Sequence, residues 1–263
     1  MNLQLKGKVA LVLASGSGIG AGVAKELASE GAKVMMMGHT KKKLSQKTAQ
    51  IIKETGNKNV INFAGDLTDI NSIKELIKKT QEKLGPVYAL FNNAGGPPAG
   101  KILSFSDKDW YYAFDLTLLS YVRVMKLVIP QMKKGGEGRI VNSTSSSIKS
   151  VLPNLGLSNT MRAGIVGLSK TISQEEGKNK ILCNVTAPGT ILTDRVKSLN
   201  KIRAQKQNKT ALQVEKESIQ EIPLGRYGKP SEYSKLVAFL LSPLNTYITG
   251  QSILIDGGMV KAL

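Results

Sequence analysis

Residues 8–31 read "KVALVLASGSGIGAGVAKELASEG". An almost wholly apolar run, Lys8 to Ala14, passes straight into glycines at alternate positions: Gly16, Gly18 and Gly20. Apolar residues then recur with helical spacing up to Gly31. A short strand, a glycine turn and a helix, in that order, make the opening of a βαβ unit. Backbone N–H groups in such a turn, together with the positive end of the helix dipole, suit a pyrophosphate. A tight turn that merely needs glycine would read the same way; the flanking strand and helix are what give the pattern weight.

The rhythm repeats outward from this stretch. "KVMMMG" (33–38) precedes a Lys-rich helix to about Thr55, and "NVINFAG" (59–65) precedes a helix from about Asp69 to Lys83. "VYALFNN" (87–93) leads to one long helix ending near Lys133, with Pro130 disturbing its last turn. "GRIVNST" (138–144) precedes a helix from about Leu155 to Glu176, and "ILCNVTA" (181–187) and "SILIDGG" (252–258) complete the strands. These strands are short and apolar at nearly every position, so both faces are buried and the sheet is parallel. The predicted fold is α/β, a doubly wound parallel sheet of Rossmann type with seven strands, in a single domain over 1–263. Residues 189–228 break the rhythm with a long charged insertion after a strand's C-terminal end, where a lid or substrate loop belongs.

Composition narrows the function classes. The chain has 263 residues, 41% hydrophobic and 21% charged, which places it among globular proteins with a full core. No apolar run approaches the roughly 20 residues needed to span a bilayer. The single cysteine, Cys183, excludes an intramolecular disulfide and makes a cytoplasmic location the expectation. The net charge is +18, but the lysines are scattered over helical faces such as "IKELIKKTQEK", the pattern of a solvated surface. No nucleic-acid recognition motif accompanies them, so neither nucleic acid nor membrane is the expected partner. An acidic cofactor or substrate is the better use of the charge. His39 is the only histidine, which disfavours a histidine-based metal cluster or a Ser-His-Asp triad, and no metal is expected.

The second strand ends "MMMGHTKKKL". An NAD site would want a carboxylate here to accept from the ribose hydroxyls. His39, Thr40 and Lys41 offer donors and positive charge instead, which favours NADP(H) over NAD(H). Lys42 and Lys43 read as the solvated start of the next helix.

Six motifs in order carry a resemblance: "ASGSGIG", "GDLTD" with Asp66, "NNAGG" (92–96), "GRIVNSTS" (138–145), "APGTILTD" (187–194) and "ITGQSILIDGG". With these the chain resembles the short-chain dehydrogenase/reductase family from about Leu5 to Met259, in particular its 3-oxoacyl-acyl-carrier-protein-reductase-like group. "NNAGGPP" and "IPLGRYGKP" suggest a divergent subgroup. The resemblance implies a cofactor cradle of Ala14, Ser15, Gly16, Ser17, Gly18, Ile19, Gly20, His39, Thr40, Lys41, Asp66, Leu67, Asn93, Ala94, Gly95, Arg162, Pro188, Gly189 and Ile191. Gly95 and Gly96 would let the backbone approach the nicotinamide side, and Pro188 and Gly189 would close over it. A homo-oligomer, tetramer or dimer, is also implied.

The family's chemistry uses an Asn, a Ser, a Tyr and a Lys. Matched position by position, the Ser is Ser145, the Tyr position is Ser158, the Lys position is Arg162 and the Asn position is Thr117. The Thr-Gly pair that usually opens the glycine loop is Leu13-Ala14. Ser158 and Arg162 stand at i and i+4 on one helix face, turned toward the presumed cleft. A serine hydroxyl is far less acidic than a phenol, and a guanidinium is a fixed cation with a planar fork rather than a proton source. Grip on a cofactor or an anion survives these exchanges; the family's usual proton route does not. Tyr227, Tyr111, Tyr112, Tyr121, Asp194 and Arg195 are weaker candidates for a role at the site, and Ser143, Thr144 and Ser146 crowd Ser145.

Two functions remain open on the sequence. One is an NADP(H)-dependent oxidoreductase acting on a small ketone or secondary alcohol. Lys197, Lys201, Arg203, Lys206 and Lys209 in the lid would favour an anionic substrate such as an acyl carrier thioester, or simply form a solvated helix face. The other is a catalytically impaired nucleotide-binding sensor or partner protein.

Overall fold

The computed structural model describes residues 2–262. Seven strands form one sheet in the order β3-β2-β1-β4-β5-β6-β7, and every neighbouring pair is parallel. The strands are β1 Val9–Val12, β2 Lys33–Gly38, β3 Val60–Ala64, β4 Ala89–Asn92, β5 Gly138–Ser143, β6 Ile181–Pro188 and β7 Ser252–Ile255. The order reverses between β1 and β4, so both run outward from one crevice, the usual ligand position in such sheets.

Alternation along β1 shows how the layers are built. Val9, Leu11 and Leu13 point to one face and pack with Ile73, Leu76, Val124, Val128 and Ile165. These residues come from α3 (Ile70–Leu84), α5 (Ser120–Lys134) and α6 (Gly156–Glu176). Ala10 and Val12 point to the other face, against Val23, Leu27, Leu44, Ile51 and Val237. Those belong to α1 (Gly18–Ser29), α2 (Lys41–Thr55) and α9 (Pro230–Leu240). With helices covering both faces, a strand needs an apolar residue at every position, as the sequence shows.

Three local differences from the sequence expectation have clear causes. The long helix before β5 is two helices, α4 (Asp107–Phe114) and α5, joined by a π-helical turn over Asp115–Leu119. That turn packs on α6, where Leu118 comes within 3.1 Å of a Cβ built on Gly164. A one-residue widening of the helix leaves no mark on apolar periodicity. Pro130 lies inside α5, which continues to Lys134. Finally, α9 begins on Pro230, whose fixed φ suits a first helical turn, and it covers the β1 face opposite α5.

The lid is a helical hairpin, α7 (Asp194–Lys206) and α8 (Ala211–Gln220). Its stem is pinned: the Leu192 amide donates to the Gly228 carbonyl at 2.8 Å, and the Gly228 amide to Thr190 at 3.0 Å. Inside it, Asn200 donates to the Tyr227 hydroxyl at 3.1 Å. Among the described residues, no helix is long and apolar enough to cross a membrane.

Candidate active site

The glycine loop is stitched to both neighbours of β1. Leu13 N donates to Phe91 O at 3.1 Å on the β4 side. Ser15 donates to Met37 O at the β2 side, through its amide at 2.8 Å and its hydroxyl at 3.1 Å. Ala14 takes φ +47, a left-handed conformation that costs a non-glycine residue about 1–2 kcal/mol. This is the position where the usual pair has glycine. Gly20 has no freedom: a Cβ there would collide with the Ala14 carbonyl. The first-turn amides of Gly18, Ile19 and Gly20 have no intrahelical acceptor, and Ser17 makes no side-chain cap for them. They are available to an anion, so the loop fits a pyrophosphate.

A cleft of about 770 Å³ opens beside this loop. Gly16, Ser17 and Gly18 form its floor, Lys43 and Lys47 one wall, and Leu192–Asp194 the lid side. Lys43, expected only as a solvated helix start, therefore borders the cleft. His39, Thr40 and Lys41 are exposed at the end of β2, with no carboxylate at the strand end. Asp66 accepts from the Thr68 amide and hydroxyl, each at 2.8 Å. The amide bond chiefly holds its carboxyl below the usual range, and the charge of His39 adds to this. Leu67 is buried behind it. Asn93 Nδ2 reaches Leu13 O and Ala14 O only at 3.5 Å.

The end of β5 is a hub. Arg162 Nη1 donates to the carbonyls of Ser143 at 3.3 Å and Thr144 at 3.0 Å. Arg162 Nε donates to Ser158 Oγ at 3.1 Å. Both side chains are buried. Tyr121 from α5 donates to the same Ser143 carbonyl at 3.0 Å. Tyr233 from α9 shares hydrogen bonds with Ser143 Oγ at 3.2 Å and Thr186 Oγ1 at 2.5 Å. Thr144 Oγ1 is committed to Thr186 O. Among residues 143–147, Ser145 alone is not buried, and its Oγ accepts from Ser147 N at 3.2 Å. Its own proton stays free. The crowding around Ser145 thus resolves: its neighbours are tied inward and it faces out.

Thr117 lies in the π turn, fully buried, and its hydroxyl has no partner. The tyrosines do not supply a free phenol at the hub. Tyr121 and Tyr233 are fully buried and hydrogen-bonded, and burial pushes both phenols well above their ordinary value. Tyr227 is bonded to Asn200 inside the lid, Tyr111, Tyr112 and Tyr247 are exposed, and Tyr88 precedes β4 at the far end of the strands.

The lid side brings in Thr193 and Arg195. Thr193 caps α7 and lies 3.2 Å from a Cβ built on Gly18, so the lid base rests on the glycine loop. The Arg195 guanidinium lies across Gly96, with Nη2 2.5 Å from a built Cβ. Gly95 beside it faces open space. Gly189 is required for another reason: its missing Cβ makes room for Asp256 after β7. Pro188 and Ile191 are buried on either side of it. Crowding of its guanidinium, then the positive charge of Arg162, lower the Arg195 pKa. The lid lysines 197, 201, 206 and 209 and Arg203 are all exposed. Arg195, not they, reaches the site; its place two residues after a Thr cap at the end of "GTILT" was the only sequence signal for this.

The fold and the site define a Rossmann-type protein built around a nucleotide-sized cleft. A family model described as enoyl-(acyl carrier protein) reductase matches residues 13–260. The chain is 34% identical to the 3-oxoacyl-[acyl-carrier-protein] reductase FabG of Thermotoga maritima, over 98% of this chain and 100% of the relative. It is 32% identical to the 7alpha-hydroxysteroid dehydrogenase of Bacteroides fragilis, over 97% and 95%. The crystal structure of L-sorbose reductase from Gluconobacter frateurii, complexed with NADPH and L-sorbose, superposes with a TM-score of 0.95 at 27% identity, covering all of both chains. The chain belongs to the short-chain dehydrogenase/reductase family, on its 3-oxoacyl-acyl-carrier-protein-reductase-like side.

Proposed function

We propose that this chain is an NADP(H)-dependent oxidoreductase that interconverts a ketone and a secondary alcohol through Ser145, Ser158 and Arg162. The observation that carries the proposal is the buried Arg162–Ser158 hydrogen bond at the end of β5. Arg162 donates, so Ser158 spends a lone pair on it and keeps its own proton for another acceptor. Ser145 is in the same condition, accepting from Ser147. Two O–H donors with protons unspent are what a substrate carbonyl oxygen needs.

The glycine-loop amides, His39, Thr40 and Lys41 would hold the cofactor, with Lys43 and Lys47 adding positive charge for a 2′-phosphate. Asp66, Leu67, Asn93, Ala94, Gly95, Pro188, Gly189 and Ile191 complete the walls. Bound NADPH supplies hydride to the carbonyl carbon. Ser145 and Ser158 polarise the oxygen, and its growing charge is countered by the Arg162 guanidinium behind Ser158. The proton passes from a water through the Ser158 hydroxyl to the oxygen, so Ser158 ends as it began. Thr117 forms the buried floor beneath α6.

The reductase names among the relatives put 3-oxoacyl thioesters first in a substrate panel. NADPH and NADH are titrated by fluorescence, and acetoacetyl thioesters and small ketones are then assayed. Tighter NADPH binding and turnover are expected, and Ser145→Ala and Arg162→Lys each lower the rate at least tenfold. An unchanged rate in Ser145→Ala removes this mechanism. The absence of a free phenol at the hub favours a second reading, a nucleotide-binding sensor or partner protein. Cofactor binding with no turnover across the panel would select it.

A further inference from the structure

Arg162 and Arg195 come from different elements, α6 and the start of α7, and their charges are close enough to act on one another. Neither has an acidic partner among the described residues, while nine ion pairs occupy cations elsewhere. Arg195 makes no hydrogen bond to the described chain. Arg162 commits Nε and Nη1 and leaves Nη2 without a protein partner. Two cations crowded together with unspent donors are unfavourable until an anion joins them. The exposed lid lysines cannot be that anion's binding site, because they face solvent.

We infer that Arg162 and Arg195 form a carboxylate-binding site, and that the substrate is an oxo acid whose carboxylate bridges the two guanidinium groups. This rests on the reductase function proposed above and narrows its substrate class. Position decides the source of the anion. The pyrophosphate belongs at the amides of Gly18–Gly20, at the N-terminus of α1. An anion held by both arginines must instead sit by Arg162, which adjoins Ser158 and the end of β5, where the carbonyl would be. Planar, bidentate forks on both sides match a carboxylate. The lid carries Arg195, so its pinned stem sets the distance between the two forks.

The test is calorimetric binding to the protein–NADPH complex. The probes are 2-oxobutanoate, acetoacetate and 4-oxopentanoate, each beside its methyl ester, with acetoacetyl thioester as a neutral competitor. At least one acid is expected to bind more than tenfold tighter than its ester. Arg195→Ala should collapse that preference roughly 30-fold, in the range for a charged hydrogen-bonded pair. Arg195→Lys should restore part of it, and Lys206→Ala, on the exposed lid face, should leave the acid-to-ester ratio within twofold. Esters or the thioester binding as tightly as the acids overturns the inference, as does no binding by any acid. Loss of NADPH affinity in Arg195→Ala, with the acid preference intact, assigns Arg195 to the cofactor and also overturns it. The two proposals fail separately. Acid binding with this pattern but no oxidation of NADPH keeps the carboxylate site and removes the reductase; turnover of neutral ketones without acid preference does the reverse.

Discussion

A single side chain links fold and chemistry in this molecule. Arg162 is buried, yet it donates to two strand-end carbonyls and to Ser158. Removing it leaves three acceptors short of donors and a cavity at the end of β5. Arg162→Ala should therefore destabilise the protein by about 2–4 kcal/mol, read by urea unfolding. Arg162→Lys keeps the charge but not the fork, and should fall between the two. Ser158→Ala tests the chemistry more cleanly: turnover should fall at least tenfold while the NADPH dissociation constant stays within twofold. Cys183 is a contrasting residue. Burial pushes its thiol up to about 12, against hydrogen bonds from Ser169 and Asn142. A thiol reagent at pH 8 should label it at the rate of unfolding and no faster.

At the scale of elements, the packing of helices on the glycine loop is what fixes the cleft. Gly22 of α1 touches α9, and a Cβ on it would lie 2.8 Å from Pro230 Cβ. Gly22→Ala should cost about 1–3 kcal/mol by overpacking and should widen the cleft mouth, raising the NADPH dissociation constant. The π turn makes the opposite prediction. Thr117 buries a hydroxyl with no partner, and valine has nearly its shape. Thr117→Val should raise stability by about 1 kcal/mol in thermal or urea unfolding. If the hydroxyl faces the reacting groups, turnover falls in the same variant, which is the usual trade at a functional site. Neither feature was legible beforehand. "GAGVAKEL" shows a helix but not its neighbour, and a π turn is chosen by the helix it packs against.

For the whole molecule, buried phenols set the alkaline limit. Burial pushes Tyr233 up to about 12, and Tyr121 rises for the same reason, against ordinary values near 10. An acid with a raised folded pKa keeps its proton longer in the native state than in the unfolded one. Its stabilisation is complete below pH ~10 and is lost as the pH climbs through the folded value. Thermal midpoints should therefore fall steeply above about pH 10, with a shallower fall in Tyr233→Phe. The assembly is a separate expectation. Tyr111 and Tyr112 on α4 and Phe114 at its end are exposed, as are Leu103 and Val151 nearby in sequence to the site loops. Light scattering after size exclusion should give a dimer or tetramer, and charged substitutions at Tyr111 and Phe114 should shift it toward monomer.

The sequence by itself determined the class of fold, the glycine loop, the seven strands and the identity of the residues at the site. These depend on local periodicity, on glycine and on order along the chain, all of which one dimension records. It also set Ser158 and Arg162 four residues apart, which on a helix means one face. Only the tertiary structure decided where their atoms go: Arg162 turned inward to the carbonyls of Ser143 and Thr144, Ser158 under its Nε, Ser145 outward. It alone showed that the tyrosines are committed to packing, that Gly189 makes room for Asp256, and that Arg195 crosses Gly96 to meet the charge of Arg162. Those outcomes rest on groups far apart in the chain competing for the same space and the same hydrogen bonds, and that competition exists only once the chain is folded.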